Sequence, residues 1–269
     1  MKLSRISGAV AVLFFLTASA IHGGAQTAPP MKSYEEMSRA ERQAFVGEQA
    51  RRIARELSGS EYAFTPAFEE DIQKAVTRYA TRVNKQNGSR LLPGVFARGQ
   101  AEAPRLIAAF KARNVSPLIG LYIPWIESAF VNIQSPNSMG SIGMFQFVPK
   151  TGEHFGLSAA DLLDVEKSAD AAARYITESS ATFKDDPMKE ALALLAYNRG
   201  GQKVASDLKV VLNDQNRQCS ICALNANRDK LGDTFRSESV YYVPLFFAAA
   251  IIGENPQTFG LQGKPLSAH

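Results

Sequence analysis

Phe68, Ile72, Val76, Tyr79 and Val83 stand three or four residues apart, directly after a Thr65-Pro66 pair. Apolar residues at that spacing fall on one face of an α-helix, and Thr followed by Pro supplies the cap and first-turn residue that open one. Asn87-Gly88 closes this first run. The same grammar returns along the chain. Residues 35–57 are rich in Glu, Arg, Ala and Gln, good helix formers, and Ser58-Gly59-Ser60 breaks them off. Residues 103–113 put Leu106, Ile107 and Phe110 on one face. Ser116-Pro117 opens a helix over 118–127, which Pro124 should bend or break. A short helix is predicted over 146–155, closed by Gly156. Asp164 caps a helix over 165–181, where Ala171, Ala172 and Ala173 permit close packing. Asp186-Pro187 starts another, ending in Tyr197-Asn198, and residues 237–253 form the last. Residues 201–234 carry no clear period. No strand candidate of any length appears, so the expected fold is all-α, or mainly α with a small β-hairpin near the Ser/Gly-rich loop after residue 128.

The first 25 residues read as a secretory signal. Lys2 and Arg5 form a basic start, residues 8–20 an apolar stretch too short for a comfortable membrane span, and Ala18-Ser19-Ala20 or Gly23-Gly24-Ala25 a cleavage site. An uncleaved anchor is the alternative. Both cysteines, Cys219 and Cys222, lie far from this segment, which rules out attachment of a lipid there. Residues 26–63 read as a linker and an N-terminal helix, and 64–269 as the main domain. Without Lys2 and Arg5 the chain holds 28 basic against 26 acidic residues, so the high pI is no argument for nucleic acid. Roughly 245 exported residues suffice for one helical domain with a sizeable core.

Elimination narrows the chemistry. His22, His154 and His269 are the only histidines, so a zinc site or a Ser-His-Asp triad would rest on His154 alone. Two cysteines are too few for an all-cysteine zinc site. In an oxidising compartment Cys219 and Cys222 can pair, and no βαβ pattern supports a redox motif. No Gly-rich phosphate cradle is present, and no cofactor or metal is expected. The apolar run 121–126, which holds the only Trp, Trp125, delivers one carboxyl, Glu127. A carboxyl at the end of an apolar segment is disfavoured in its charged form, and the raised pKa suits a proton donor near neutrality. Glu153, Asp161 and Asp164 follow the loop, but none stands in a convincing second position.

Glu127-Ser128, a Ser/Gly loop, Gly143-Met144-Phe145-Gln146 and Ala196-Tyr197-Asn198-Arg199-Gly200 occur in that order. The combination resembles the lytic transglycosylases of the goose-type lysozyme superfamily, the D-type membrane-bound lytic murein transglycosylases in particular, over about residues 64–261. Tyr241-Tyr242-Val243-Pro244 and Asn255-Pro256…Phe259-Gly260 add to it. The resemblance implies a lysozyme-like helical domain with an N-terminal helical extension, and Glu127 as sole catalytic acid and base. It implies a sugar groove lined by Gln146, with Tyr197 and Asn198 beside the cleaved bond. Ser128, Gly143, Met144 and Tyr241 enter the same expected substrate-binding set. The loop departs from the family's Ser-x-x-Gly-Ala-x-Gly: Asn137 stands at the Ser position and Ser141 at the Ala position, with Ser135 or Ser138 as the alternative source of the hydroxyl. The carbohydrate-binding repeats of many D-type relatives do not follow. The implied partner is the glycan strand of peptidoglycan, cut between N-acetylmuramic acid and N-acetylglucosamine, in the periplasm. A cell-envelope machine is a second candidate partner, and the chain is expected to be a monomer. A lysozyme-like hydrolase and a non-catalytic peptidoglycan-binding scaffold are the alternatives.

Overall fold

A computed structural model describes residues 32–81, 91–213 and 215–269. The expected signal segment 1–25 and the Asn87-Gly88 helix end lie outside the described residues. Eleven α-helices follow one another among those that are described: α1 Arg39–Ser58, α2 Pro66–Ala80, α3 Leu92–Ala112, α4 Pro117–Ser128, α5 Pro149–His154, α6 Val165–Thr182, α7 Lys189–Arg199, α8 Gly201–Val211, α9 Ser220–Ala226, α10 Asp233–Ser237 and α11 Tyr242–Glu254. Short 3-10 turns join several of them. The β content among the described residues is two isolated antiparallel bridges, Ile133 with Gly143 and Ile142 with Phe147, in the loop between α4 and α5. The all-α expectation holds.

The helix boundaries follow local chemistry. Ser38 and Glu41 cap the start of α1 reciprocally, so α1 begins after residue 35, and Gly59 ends it in the left-handed conformation. Thr65 caps α2 through its hydroxyl, and Asp164 caps α6 with bonds from the amides of Glu166 and Lys167. Three expectations shift. The last helix, predicted over 237–253, begins at Tyr242 after a 3-10 turn at Ser239–Tyr241. The helix predicted over 103–113 begins at Leu92, because Pro93 occupies its first turn and the buried face Val95, Phe96, Leu106, Ile107 and Phe110 carries the helix through Pro104. The helix predicted over 146–155 begins at Pro149. Gln146 is left-handed, with φ 52°, and a residue before proline is held extended, so Val148 becomes the cap and Pro149 the first turn.

Two helices at the centre are apolar on every side. α4 buries Leu118, Ile119, Leu121, Tyr122, Ile123 and Trp125, and α11 buries nearly its whole length. Pro124 does not break α4. Its cost of roughly 3 kcal/mol is outweighed by the burial of Leu121, Tyr122, Ile123 and Trp125, at about 1.5–3 kcal/mol each. α4 packs against α3 on one side and α11 on another; α1 and α2 cover α11, while α6 and α7 pack together beside α3. A Cβ at Gly253 would collide with the Tyr122 ring, so glycine sets how closely α4 and α11 approach. There the Tyr122 hydroxyl donates to Glu254 (2.5 Å), which also accepts from the amide and hydroxyl of Ser267.

Cys219 and Cys222 are joined by a disulfide, and the Cys222 sulfur accepts from the Thr65 amide at the head of α2 (3.3 Å). No helix among the described residues is long and apolar enough to cross a membrane.

Candidate active site

Glu127 sits in the last turn of α4, where an apolar helix ends abruptly. Ala129 and Phe130 are both left-handed, with φ 55° and 59°, and their amides reach back to the carbonyls of Trp125 and Pro124. Consecutive non-glycine residues in this region are uncommon, and each costs on the order of 1 kcal/mol or more. Arg98 holds the turn through a bond from its Nε to the Ala129 carbonyl (2.8 Å). The carboxyl is thereby set among buried side chains, with one edge open to a cavity of about 310 Å³. Burial raises its pKa to about 7, and a hydrogen bond from the Tyr242 hydroxyl to Oε1 (2.7 Å) lowers it in part. Burial wins, so near neutral pH both protonation states of Glu127 are populated. Burial and the Glu127 charge together hold the Tyr242 hydroxyl well above its ordinary pKa, so it remains a neutral donor.

The loop after α4 builds a second wall. The Asn137 carboxamide oxygen accepts from the amides of Met139 and Ser141, and its nitrogen donates to Gln146 Oε1 (3.4 Å). Gln146 in turn donates to the Gly143 carbonyl (2.8 Å). Asn137, Met139, Ser141, Gln146 and Val148 face the cavity. Behind them, Ser128 is 3% exposed, and its hydroxyl donates to the carbonyls of Met144 (2.7 Å) and Pro124 (3.2 Å). Ser128 is therefore no part of the cavity wall; it clasps the loop to the end of α4. Met144 is 1% exposed and packs in the core. Gly143 has φ 77°, and a Cβ there would strike the Leu162 carbonyl. These three of the expected substrate-binding residues support the wall from behind. Ser135 and Ser138 are exposed and lie off the cavity, where Asn137 and Ser141 stand instead.

The end of α7 supplies the third wall. The Tyr197 hydroxyl donates to the Phe145 carbonyl (2.9 Å), and its ring packs on Phe147 and Tyr175. Tyr197, Asn198 and Arg199 all line the cavity. Arg199 is paired with Asp207 of α8 (2.5 Å) and lies over the Phe235 ring of α10.

Residues 105–218 match the model of the transglycosylase SLT domain family. The chain carries a lytic transglycosylase SLT domain. No curated protein matches the chain. Enzymes of the SLT family are lyases acting on peptidoglycan, and this assigns peptidoglycan cleavage to the chain.

The SLT match takes in Glu127, the loop, Tyr197 and Asn198, but the cavity also has a wall beyond it: Thr234, Glu238 and Ser239. Tyr242, which bonds Glu127, also lies past the matched segment. The expected Tyr241 points elsewhere. It is 49% exposed and lines a separate cavity with Asp71, Arg78 and Leu245, because it ends the 3-10 turn Ser239–Tyr241 just before α11, and one step of helical backbone turns a side chain by roughly 100–120°. α11 is apolar all round and Tyr241 directly precedes it, so no periodicity in the sequence distinguishes position 241 from 242. Among the acidic residues considered from the sequence, Asp164 caps α6 and Asp161 is held by Ser158 and Lys167. The carboxylate that does share the SLT cavity with Glu127 is Glu238, which sequence reading overlooked. His154 bonds Glu178 on the surface, away from the site.

Proposed function

We propose that this SLT domain cleaves the bond between N-acetylmuramic acid and N-acetylglucosamine without water, leaving a 1,6-anhydromuramoyl end. The observation that carries the reading is one buried carboxyl, Glu127, with its pKa at about 7, placed on the cavity and held by Tyr242. Protonated Glu127 gives its proton to the bridging oxygen as the anomeric carbon–oxygen bond breaks. The muramoyl C6 hydroxyl attacks the anomeric carbon, and its proton passes to the Glu127 carboxylate, restoring the acid. One group acts in both directions, which a pKa near the working pH favours. The C6 hydroxyl is tethered, and effective molarities of about 10⁵ M or more for such nucleophiles let it outcompete water. Tyr197 and Asn198 hold the muramoyl ring, and Gln146, oriented by Asn137, lines the groove.

The reading extends to a D-type enzyme, supported by Tyr241-Tyr242-Val243-Pro244 and Asn255-Pro256, and to action in the periplasm after removal of residues 1–25. It takes the protein as a monomer on glycan strands, with a cell-envelope machine as its further partner.

Glu238 favours a second reading, hydrolysis, because glycosidases that use water pair an acid with a second carboxylate. Mass spectrometry of digested peptidoglycan separates the two, since the products differ by the mass of one water. Anhydro ends that disappear in Glu127→Gln, with the fold retained by circular dichroism, are expected. Reducing ends alone would replace transglycosylation with hydrolysis, and a folded, active Glu127→Gln would remove Glu127 from the mechanism.

A further inference from the structure

Four charged side chains line the cavity: Glu127, Arg199, Lys203 and Glu238. Two of them have partners inside the protein. Glu127 accepts from Tyr242, and Arg199 is held by both oxygens of the buried Asp207 and stacked on Phe235. Lys203, in the first turn of α8, and Glu238, in the link between α10 and α11, are exposed and form no ion pair or side-chain hydrogen bond among the described residues. The rest of the wall is neutral: Asn137, Ser141, Gln146, Asn198, Thr234 and Ser239 offer amides and hydroxyls, with Met139 and Val148 as apolar edges.

Amides and hydroxyls match a sugar strand, which presents hydroxyl and acetamido groups and no charge of its own. An unpaired cation and an unpaired carboxylate on the same wall have no counterpart in that strand. They match what hangs from it. The muramoyl unit carries its peptide stem through a lactyl ether, and the stem bears free carboxylates together with an ammonium group on its diamino acid. We propose that Lys203 and Glu238 read this stem, Lys203 binding a stem carboxylate and Glu238 the ammonium, and so make the enzyme prefer peptide-bearing over bare glycan. The proposal rests on the cleavage reading above. Charge-assisted hydrogen bonds are the stronger kind, and each carries discrimination of about tenfold or more. The two residues lie on elements that Arg199 ties together, since Arg199 at the end of α7 grips Asp207 on α8 and covers Phe235 on α10.

The test uses the full-length protein, with Lys203→Gln and Glu238→Gln variants checked for fold by circular dichroism. Two substrates are compared: peptide-bearing glycan chains, and the same chains stripped of their stems by an amidase, with the lactyl carboxylates this exposes capped as amides. The ratio of kcat/KM between them should fall about tenfold in each variant, mainly through KM on the peptide-bearing chains, and the product should remain an anhydro end. A ratio equal to wild type in both variants would overturn the proposal and leave the charges merely solvated. Loss of turnover on both substrates in Glu238→Gln, with wild type releasing reducing ends, would overturn it in favour of Glu238 as the base of a hydrolase. Wild-type protein that cleaves neither substrate would overturn the cleavage reading itself, and this proposal with it.

Discussion

Glu127 carries two measurable consequences of its burial. Its pKa in the fold, about 7, lies above the ordinary 4.5, so the folded protein keeps a proton that the unfolded chain releases. Between those two values stability must therefore fall as pH rises, and the deficit is complete above pH 7. Glu127→Gln removes that penalty. It should leave stability unchanged near pH 4 and raise it at pH 8 by up to about 3 kcal/mol, less to the extent that the edge facing the cavity is hydrated. Urea unfolding at the two pH values checks the sign. Tyr242 pulls in the opposite direction, because its hydroxyl steadies the carboxylate. In Tyr242→Phe the carboxyl holds its proton more tightly, so the alkaline limb of kcat/KM should move up by about one pH unit while turnover falls. A pH–rate profile with the limb unmoved would show that the bond does not set the acidity.

The loop between α4 and α5 is shaped from behind by groups that never face the cavity. Gly143 adopts a left-handed backbone against the Leu162 carbonyl, and its own carbonyl orients the Gln146 side chain. An alanine there meets both an unfavourable φ and a backbone oxygen with nowhere to go. Gly143→Ala should cost on the order of 2–4 kcal/mol and weaken glycan binding, seen as a raised KM in the folded fraction. Full stability in the variant would mean that the loop can move as a unit. The helices were mostly legible from their caps and spacing, as Thr65-Pro66 and Asp164 illustrate. Two of the misjudged boundaries, at Leu92 and Pro149, are places where proline signals compete with the burial of a distant face.

α4 and α11 are joined at both ends of their contact. Tyr242 meets Glu127 at one end, and Tyr122 meets Glu254 at the other, where Ser267 completes the carboxylate's bonds. The second junction is buried and lines no part of the cavity, so it fixes the angle at which α11 presents Tyr242. Tyr122→Phe leaves Glu254 one donor short in a dry setting and should cost about 1–3 kcal/mol. Any loss of turnover should appear in kcat without a shift of KM, because the groove is untouched. Thermal unfolding together with steady-state kinetics tests both halves of the statement.

Local sequence carried the helical succession, because caps and apolar spacing act over a few residues. It also placed Glu127 at the end of an apolar run, where desolvation must raise its pKa. Folding decided which neighbours complete the site. Tyr242 stands 115 positions from Glu127, and Glu238 and Lys203 reach the cavity from elements whose own sequence marks them only as surface. Ser128 and Met144 looked like groove residues and became its backing, because Ser128 lies about 100° round α4 from Glu127 and faces the core, where Met144 packs and offers it a carbonyl. Those outcomes depend on how separate helices pack, and packing is settled by the shape of whole faces that no local stretch of the chain contains.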